Sequence, residues 1–208
     1  MKKTIRILSL LLAVVALFSF VSCGKTELTK KFTRGTVSGD VYTSTFGEFS
    51  FTKPADWKFM TDEEIAAAQG IAAEVFDEEK FAEQEEGTVI DMFAQSTASS
   101  DNFSISFSKG SAFTDLEKTF TASVDMVKST YEKINWTVDV GNTETITLAG
   151  REWRKVAITV SNGAASMIQY LYFCQIGVYI CSATGTTLNT YTAEQFEAMF
   201  AKVERENA

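Results

Sequence analysis

Histidine is absent from the 208 residues, proline occurs once and cysteine three times. Without imidazole there can be no Ser-His-Asp triad, no Cys-His pair and no His-ligated metal. Three cysteines are too few for a disulfide scaffold, and one proline with 12 glycines excludes a collagen-like chain. Bases are scarce as well: 19 Lys and Arg face 27 Asp and Glu, a net charge of −8. A nucleic-acid partner is excluded by that balance, because phosphate binding needs a basic face. What is present is 45% hydrophobic residues, enough for one well-buried domain.

Residues 1–22 read as an export signal. Lys2, Lys3 and Arg6 are followed by an apolar run from Ile7 to Val21, too short for a comfortable membrane span. The run ends at Phe20-Val21-Ser22-Cys23-Gly24, which resembles the bacterial lipobox, with Phe20 where that pattern prefers Leu. The resemblance implies cleavage before Cys23 and acylation of its sulfur and new amino group. Two or more acyl chains make a stable anchor at about 0.8 kcal/mol per buried CH₂. The expected address is the extracytoplasmic face of a cell membrane. Losing three bases and no acid shifts the net charge from −8 to −11. Residues 23–35 follow as a lipidated N-terminus and polar tether, and residues 36–208 as a single domain.

Alternation marks the strands. Val37 to Thr45 reads as one strand and Phe49 to Lys53 as the next, ended by Pro54. Phe103, Ile105 and Phe107 alternate with serines, and Val89 to Gln95 is the hairpin partner expected for them. Ala149-Gly150 turns the chain into Trp153 to Ser161. Asn162-Gly163 predicts a tight hairpin pairing Ile158 with Met167 and Trp153 with Tyr172. Ala164 to Cys174 and Val178 to Ala183 are apolar on both faces and must be covered on both.

Capping boxes mark three helix starts: Thr61 with Glu64, Thr114 with Glu117, and Thr192 with Gln195. A further helix is expected after Gly70. Leu116, Phe120, Val124, Val127 and Tyr131 form one helical stripe. Phe196, Met199, Phe200 and Val203 predict another at the C-terminus. The fold class is α+β, a mainly antiparallel sheet with helices on both faces.

The segments Gly35 to Tyr42, Phe46 to Phe51, Pro54 to Trp57 and Thr61 to Ile65 look like the opening of a group of uncharacterised lipoproteins from Gram-positive bacteria. These resemble the PsbP/Mog1-like α/β/α sandwich. Asp91 to Ala94 and Leu148 to Arg151 look similar too. The resemblance spans nearly the whole mature chain and implies a fold and a cellular address. It carries over no catalytic residue and no ion ligand.

Several patterns invite chemistry. Ser106 to Lys109 matches Ser-x-x-Lys and Ser100 to Asn102 matches Ser-Asp-Asn, the motifs of penicillin-recognising serine enzymes. Their order is reversed, no Lys-Thr-Gly follows, and Ser106 lies on a strand, so a serine-rich solvent face is the expected reading. Gly24-Lys25-Thr26 lacks the earlier glycine of a phosphate loop. A tight turn at Ile176-Gly177 sets Cys174 opposite Tyr179 and makes Cys174 and Cys181 diagonal neighbours at about 7–8 Å, too far to bridge, and a three-residue loop instead puts them on opposite faces. They are expected to be buried free thiols, and the domain to fold without disulfide, metal or cofactor. Trp57, Trp136, Trp153, Tyr170, Tyr172 and Tyr179 fit core packing better than a ligand groove.

Ten acids lie between Asp62 and Glu86, opposed only by Lys80. The ordinary reading is a solvated face. The functional one is a docking face for a basic partner, carried by Glu78, Glu79, Glu83 and Glu86. No spaced Asp/Asn-Gly loop supports a tight calcium site. Two functions are therefore expected: a non-catalytic, membrane-anchored module that binds an envelope protein or ligand, or an envelope enzyme using carboxylates alone. The enzyme needs two acids converging in one cleft at about 5–10 Å.

Overall fold

A computed structural model describes residues 31–110 and 115–203. Its strands form two antiparallel sheets. The smaller begins with a hairpin, β1 (Thr36–Ser38) and β2 (Val41–Ser44), where a single strand was expected. The break is Gly39, whose φ of +58° turns the chain back. β3 (Phe49–Thr52) follows on the other side of β2.

The larger sheet has eight strands. In chain order they are β4 (Trp57–Phe59), β5 (Gly87–Ser96), β6 (Asn102–Lys109), β7 (Thr137–Val140), β8 (Glu144–Leu148), β9 (Arg151–Ser161), β10 (Ser166–Ile176) and β11 (Tyr179–Thr187). Their spatial order is β4-β5-β6-β11-β10-β9-β7, with β8 also paired to β9. The expected β5–β6 hairpin and the Ala149-Gly150 turn are present.

Among the described residues there are four helices: α1 (Asp62–Gln69), α2 (Glu78–Glu83), α3 (Leu116–Glu132) and α4 (Ala193–Glu197). A 3-10 turn, Ala73–Phe76, precedes α2. The boxes at Thr61 and Thr192 form in full. α3 is capped instead by Asp115, whose carboxylate accepts from Lys118 N–H. Thr114 lies outside the described residues. The α3 stripe packs as expected: Phe120 and Tyr131 are buried with Val156, Ile158, Val160 and Leu171 beneath them.

The fold is α+β, with helices on both faces of the large sheet. α3 covers one part of one face and α1 another, through Ile65 on Ile90 and Phe93. The opposite face meets α4 through Phe196 and, over most of its area, the small sheet. Between the sheets lies the main aromatic core, including Tyr42, Phe46, Phe49, Phe51, Phe103, Phe107 and Trp153. β10 is apolar on both faces because both are covered: Tyr172 and Cys174 face the small sheet, and Leu171 and Phe173 face α3.

Several expectations require correction. The C-terminal stripe does not continue as a helix. α4 stops at Ala198, and β12 (Phe200–Lys202) joins the small sheet, with Phe200 opposite Phe51. The edge of β3 offers unpaired backbone groups, and satisfying them outweighs helical periodicity. The Asn162 hairpin has a longer loop, held by the Asn162 side chain, which accepts from Ala164 N–H (3.1 Å) and Ala165 N–H (3.0 Å). Met167 therefore opposes Val160 rather than Ile158, and Tyr172 opposes Lys155 rather than Trp153. The shift is two residues, so every side chain keeps its face. The β10–β11 turn is centred on Gly177-Val178, one residue later than expected, with Gly177 at φ +62°. Cys174 thus stands directly opposite Cys181, not diagonal to it; both are buried and free.

Candidate functional site

The described chain enters the core before β1. Phe32 is fully buried, with its ring centroid 4.9 Å from Phe81, 5.1 Å from Phe46 and 5.1 Å from Phe107. The inner end of the expected tether, Phe32 to Gly35, is therefore packed structure. Cys23 and the export signal lie outside the described residues.

Immediately after Phe32, ionisable groups from five segments meet. β5 carries a bulge between Ile90 and Met92, and Asp91 is the extra residue. The bulge takes Asp91 out of the ladder and directs its carboxylate at the arm. One oxygen accepts from Gly35 N–H at 2.8 Å and lies 3.6 Å from Arg34 Nε; the other accepts from the Tyr42 hydroxyl. The Asp91 side chain is wholly removed from solvent. Burial raises its pKa, although Tyr42, Gly35 and Arg34 all favour the ionised form. Tyr42 is raised well above the usual phenol range, by burial first and then by the Asp91 charge.

Arg34 closes the cluster from outside. Its guanidinium forms a two-pronged pair with Asp62 at 2.7 and 2.9 Å. It also donates to the carbonyls of Phe76 (3.1 Å) and Asp91 (3.3 Å). Its backbone N–H donates to Glu78 at 2.8 Å. The Asp62 hydrogen bond is the main reason its pKa is raised. Gly35 is required by contact: a Cβ there would lie 2.2 Å from Tyr42 Cε2. A cleft of about 270 Å³ opens beside the cluster, lined by Arg34, Asp62 and Asp91 and by apolar groups such as Phe59, Met60 and Phe93.

The acidic segment is thus partly answered from within the chain. Asp62 and Glu78 hold Arg34, a base that sequence reading assigned to the tether. Of the four docking candidates, Glu79 and Glu83 are exposed on α2. Glu78 is half-buried on the arm, and Glu86 is half-buried beside Gly110. The four do not form one solvated face. Position within the acidic run carried no signal for which acids turn inward. The only sequence hint of Asp91 was its place within an otherwise apolar strand.

The serine motifs do not assemble. Ser106 Oγ is 2.8 Å from Ser182 Oγ, while Lys109 Nζ donates to the Ala82 carbonyl at 3.0 Å and lies 5.0 Å from the Phe81 ring centroid. Ser106 and Ser108 are buried rather than on a solvent face, in rows of hydroxyls that bond across neighbouring strands. Trp57, Trp153, Tyr170, Tyr172 and Tyr179 are buried core groups, and Trp136 packs on Tyr131 with ring centroids 6.0 Å apart. Among the described residues, no three acids or cysteines gather as metal ligands, and no helix is long and apolar enough to cross a membrane.

No protein-family model matches the chain, and no curated protein matches it. Among solved structures, the chain is similar to cyanobacterial PsbP (CyanoP) from Synechocystis sp. PCC 6803, with a TM-score of 0.48 and 12% identity over 88% of this chain and 98% of that one. It is also similar to a protein from Bacteroides thetaiotaomicron, with a TM-score of 0.45 and 12% identity over 81% of this chain. This chain spans half the length of that protein.

Proposed function

We infer that the protein is a lipid-anchored extracytoplasmic module, held at a membrane by acylated Cys23 and acting by binding rather than catalysis. The observation that carries the reading is the fastening of the arm. Phe32 is already in the core, so only Gly24 to Lys31 separate it from the expected anchor. Fully extended, that spacer reaches about 30 Å. A domain tied so closely to a bilayer gains from an arm that cannot peel away. Phe32 between the sheets and Arg34 on Asp62, Glu78 and Asp91 supply that attachment.

The same geometry weighs against the carboxylate enzyme. The two acids that line the cleft, Asp62 and Asp91, are both engaged by Arg34. Asp91 has both oxygens occupied and no solvent access. Asp62 keeps an exposed side chain, but its guanidinium pair holds it, and Asp91 offers no second free carboxylate beside it.

Mass spectrometry of the mature protein from membranes tests the anchor. The expected result is an N-terminal Cys23 carrying acyl groups, with Cys23→Ala leaving an unacylated protein. An unmodified Cys23 in mature wild-type protein would refute the reading.

A further inference from the structure

We propose that Cys174 and Cys181 form a disulfide-closing pair, a cross-strand bridge that locks the β10–β11 hairpin. The register places them as direct partners on adjacent antiparallel strands. Partners in that position have Cα atoms about 4.5–5.5 Å apart, inside the range of about 4.4–6.8 Å that a disulfide spans. Both side chains point into the same core between the sheets, and both are free. Opposed Cβ atoms stand about 4.5–5.5 Å apart and a disulfide needs about 3.5–4.5 Å, so closure draws the two strands slightly together at this pair while their pairing is kept.

The oxidant is a disulfide donor, RS–SR. One cysteine loses its proton and attacks a donor sulfur, which forms a mixed disulfide and releases one RSH. The second cysteine attacks the protein sulfur of that mixed disulfide and releases the other RSH. The protein loses two hydrogens and the donor gains both. Once folded, the pair has no exposure to solvent. Burial also raises the Cys181 pKa, so little thiolate is present to react. The bridge must therefore close while the hairpin is paired but not yet covered by the small sheet, during folding or on partial unfolding. The contact is local, only seven residues apart in sequence, and forms early. After closure, core packing shields it from reductants.

The pair's chemistry does not depend on location, but its closure in cells rests on the extracytoplasmic reading, since donors prevail outside the cytoplasm. Two experiments separate the two claims. In the first, full chain carrying Cys23→Ser in detergent is unfolded, reduced and refolded in a cystine/cysteine buffer. The expected product is folded protein lacking two hydrogens, with a 174–181 cross-linked peptide and no cysteine adduct. Folded protein that keeps both thiols alkylatable, or carries only mixed disulfides, overturns the proposal. A register control combines Cys181→Ala with Ala183→Cys, which moves the second thiol opposite Tyr172 and diagonal to Cys174. Its bridged fraction should fall at least tenfold; equal bridging overturns the proposal.

In the second experiment, wild-type protein is alkylated as cells are harvested. A bridged pair supports both claims. Free thiols in cells, together with a bridge on refolding, leave the pair intact and overturn the extracytoplasmic reading.

Discussion

Replacing Gly35 with alanine tests the arm where its packing is tightest. The new Cβ would lie 2.2 Å from Cε2, 2.5 Å from Cζ and 2.7 Å from the hydroxyl oxygen of Tyr42. Ordinary contact begins at about 3.5 Å, so the ring or the arm must retreat by about 1 Å. Tyr42 has no free direction: it is fully buried and its hydroxyl is bonded to Asp91. Forcing the ring aside costs about 1–3 kcal/mol in overpacking. Losing its hydrogen bond leaves a buried carboxylate one donor short, at about 1–3 kcal/mol more. The alternative is release of the arm, which strips Phe32 from the core at a similar cost of about 3–5 kcal/mol. Either route gives about 4 kcal/mol, or roughly 8–16 °C in Tm for a domain of this size. Urea denaturation of the Gly35→Ala chain should show that loss. Limited trypsin digestion distinguishes the routes, because a released arm exposes the half-buried Arg34 to cleavage. An unchanged urea midpoint with unchanged protection at Arg34 would show that the arm is not clamped as described.

Asp91→Asn should change how stability depends on pH. The folded-state pKa of Asp91 is raised by burial, so its contribution is fully present below the unfolded carboxylate pKa of about 4 and is lost as pH rises through the folded value. Urea midpoints of wild type relative to Asp91→Asn should fall across that window, and a constant difference would refute the burial argument. Glu79→Lys with Glu83→Lys should leave the urea midpoint unchanged, because both acids are exposed. Glu78→Lys should lower it, since the Arg34 N–H loses its acceptor and a like charge replaces it. Equal midpoints for the two variants would show that Glu78 does not hold the arm.

The sequence by itself determined what depends on near neighbours. The Thr61 and Thr192 caps, the Leu116–Tyr131 stripe, the Ala149-Gly150 turn and the alternation of Phe103, Ile105 and Phe107 are each complete within a few residues. Unbroken apolar runs also identified β10 and β11 as covered on both faces, whereas the alternating serines of β6 read as a solvent face that the structure buries. Tertiary structure decided whatever depends on a distant partner. Phe200 could not choose between helix and strand until β3 presented its edge, nor could the Asn162 loop reveal its length without its side-chain hydrogen bonds. A turn displaced by one residue brought Cys174 and Cys181 face to face. Arg34 meets Asp62 across 28 residues, and Gly35 meets Asp91 across 56. Nothing in a polar stretch marks such a base as a clamp, because a charge is solvated or paired according to what folding brings beside it, and only the bulge at Asp91 and the buried Tyr42 ring put a carboxylate there.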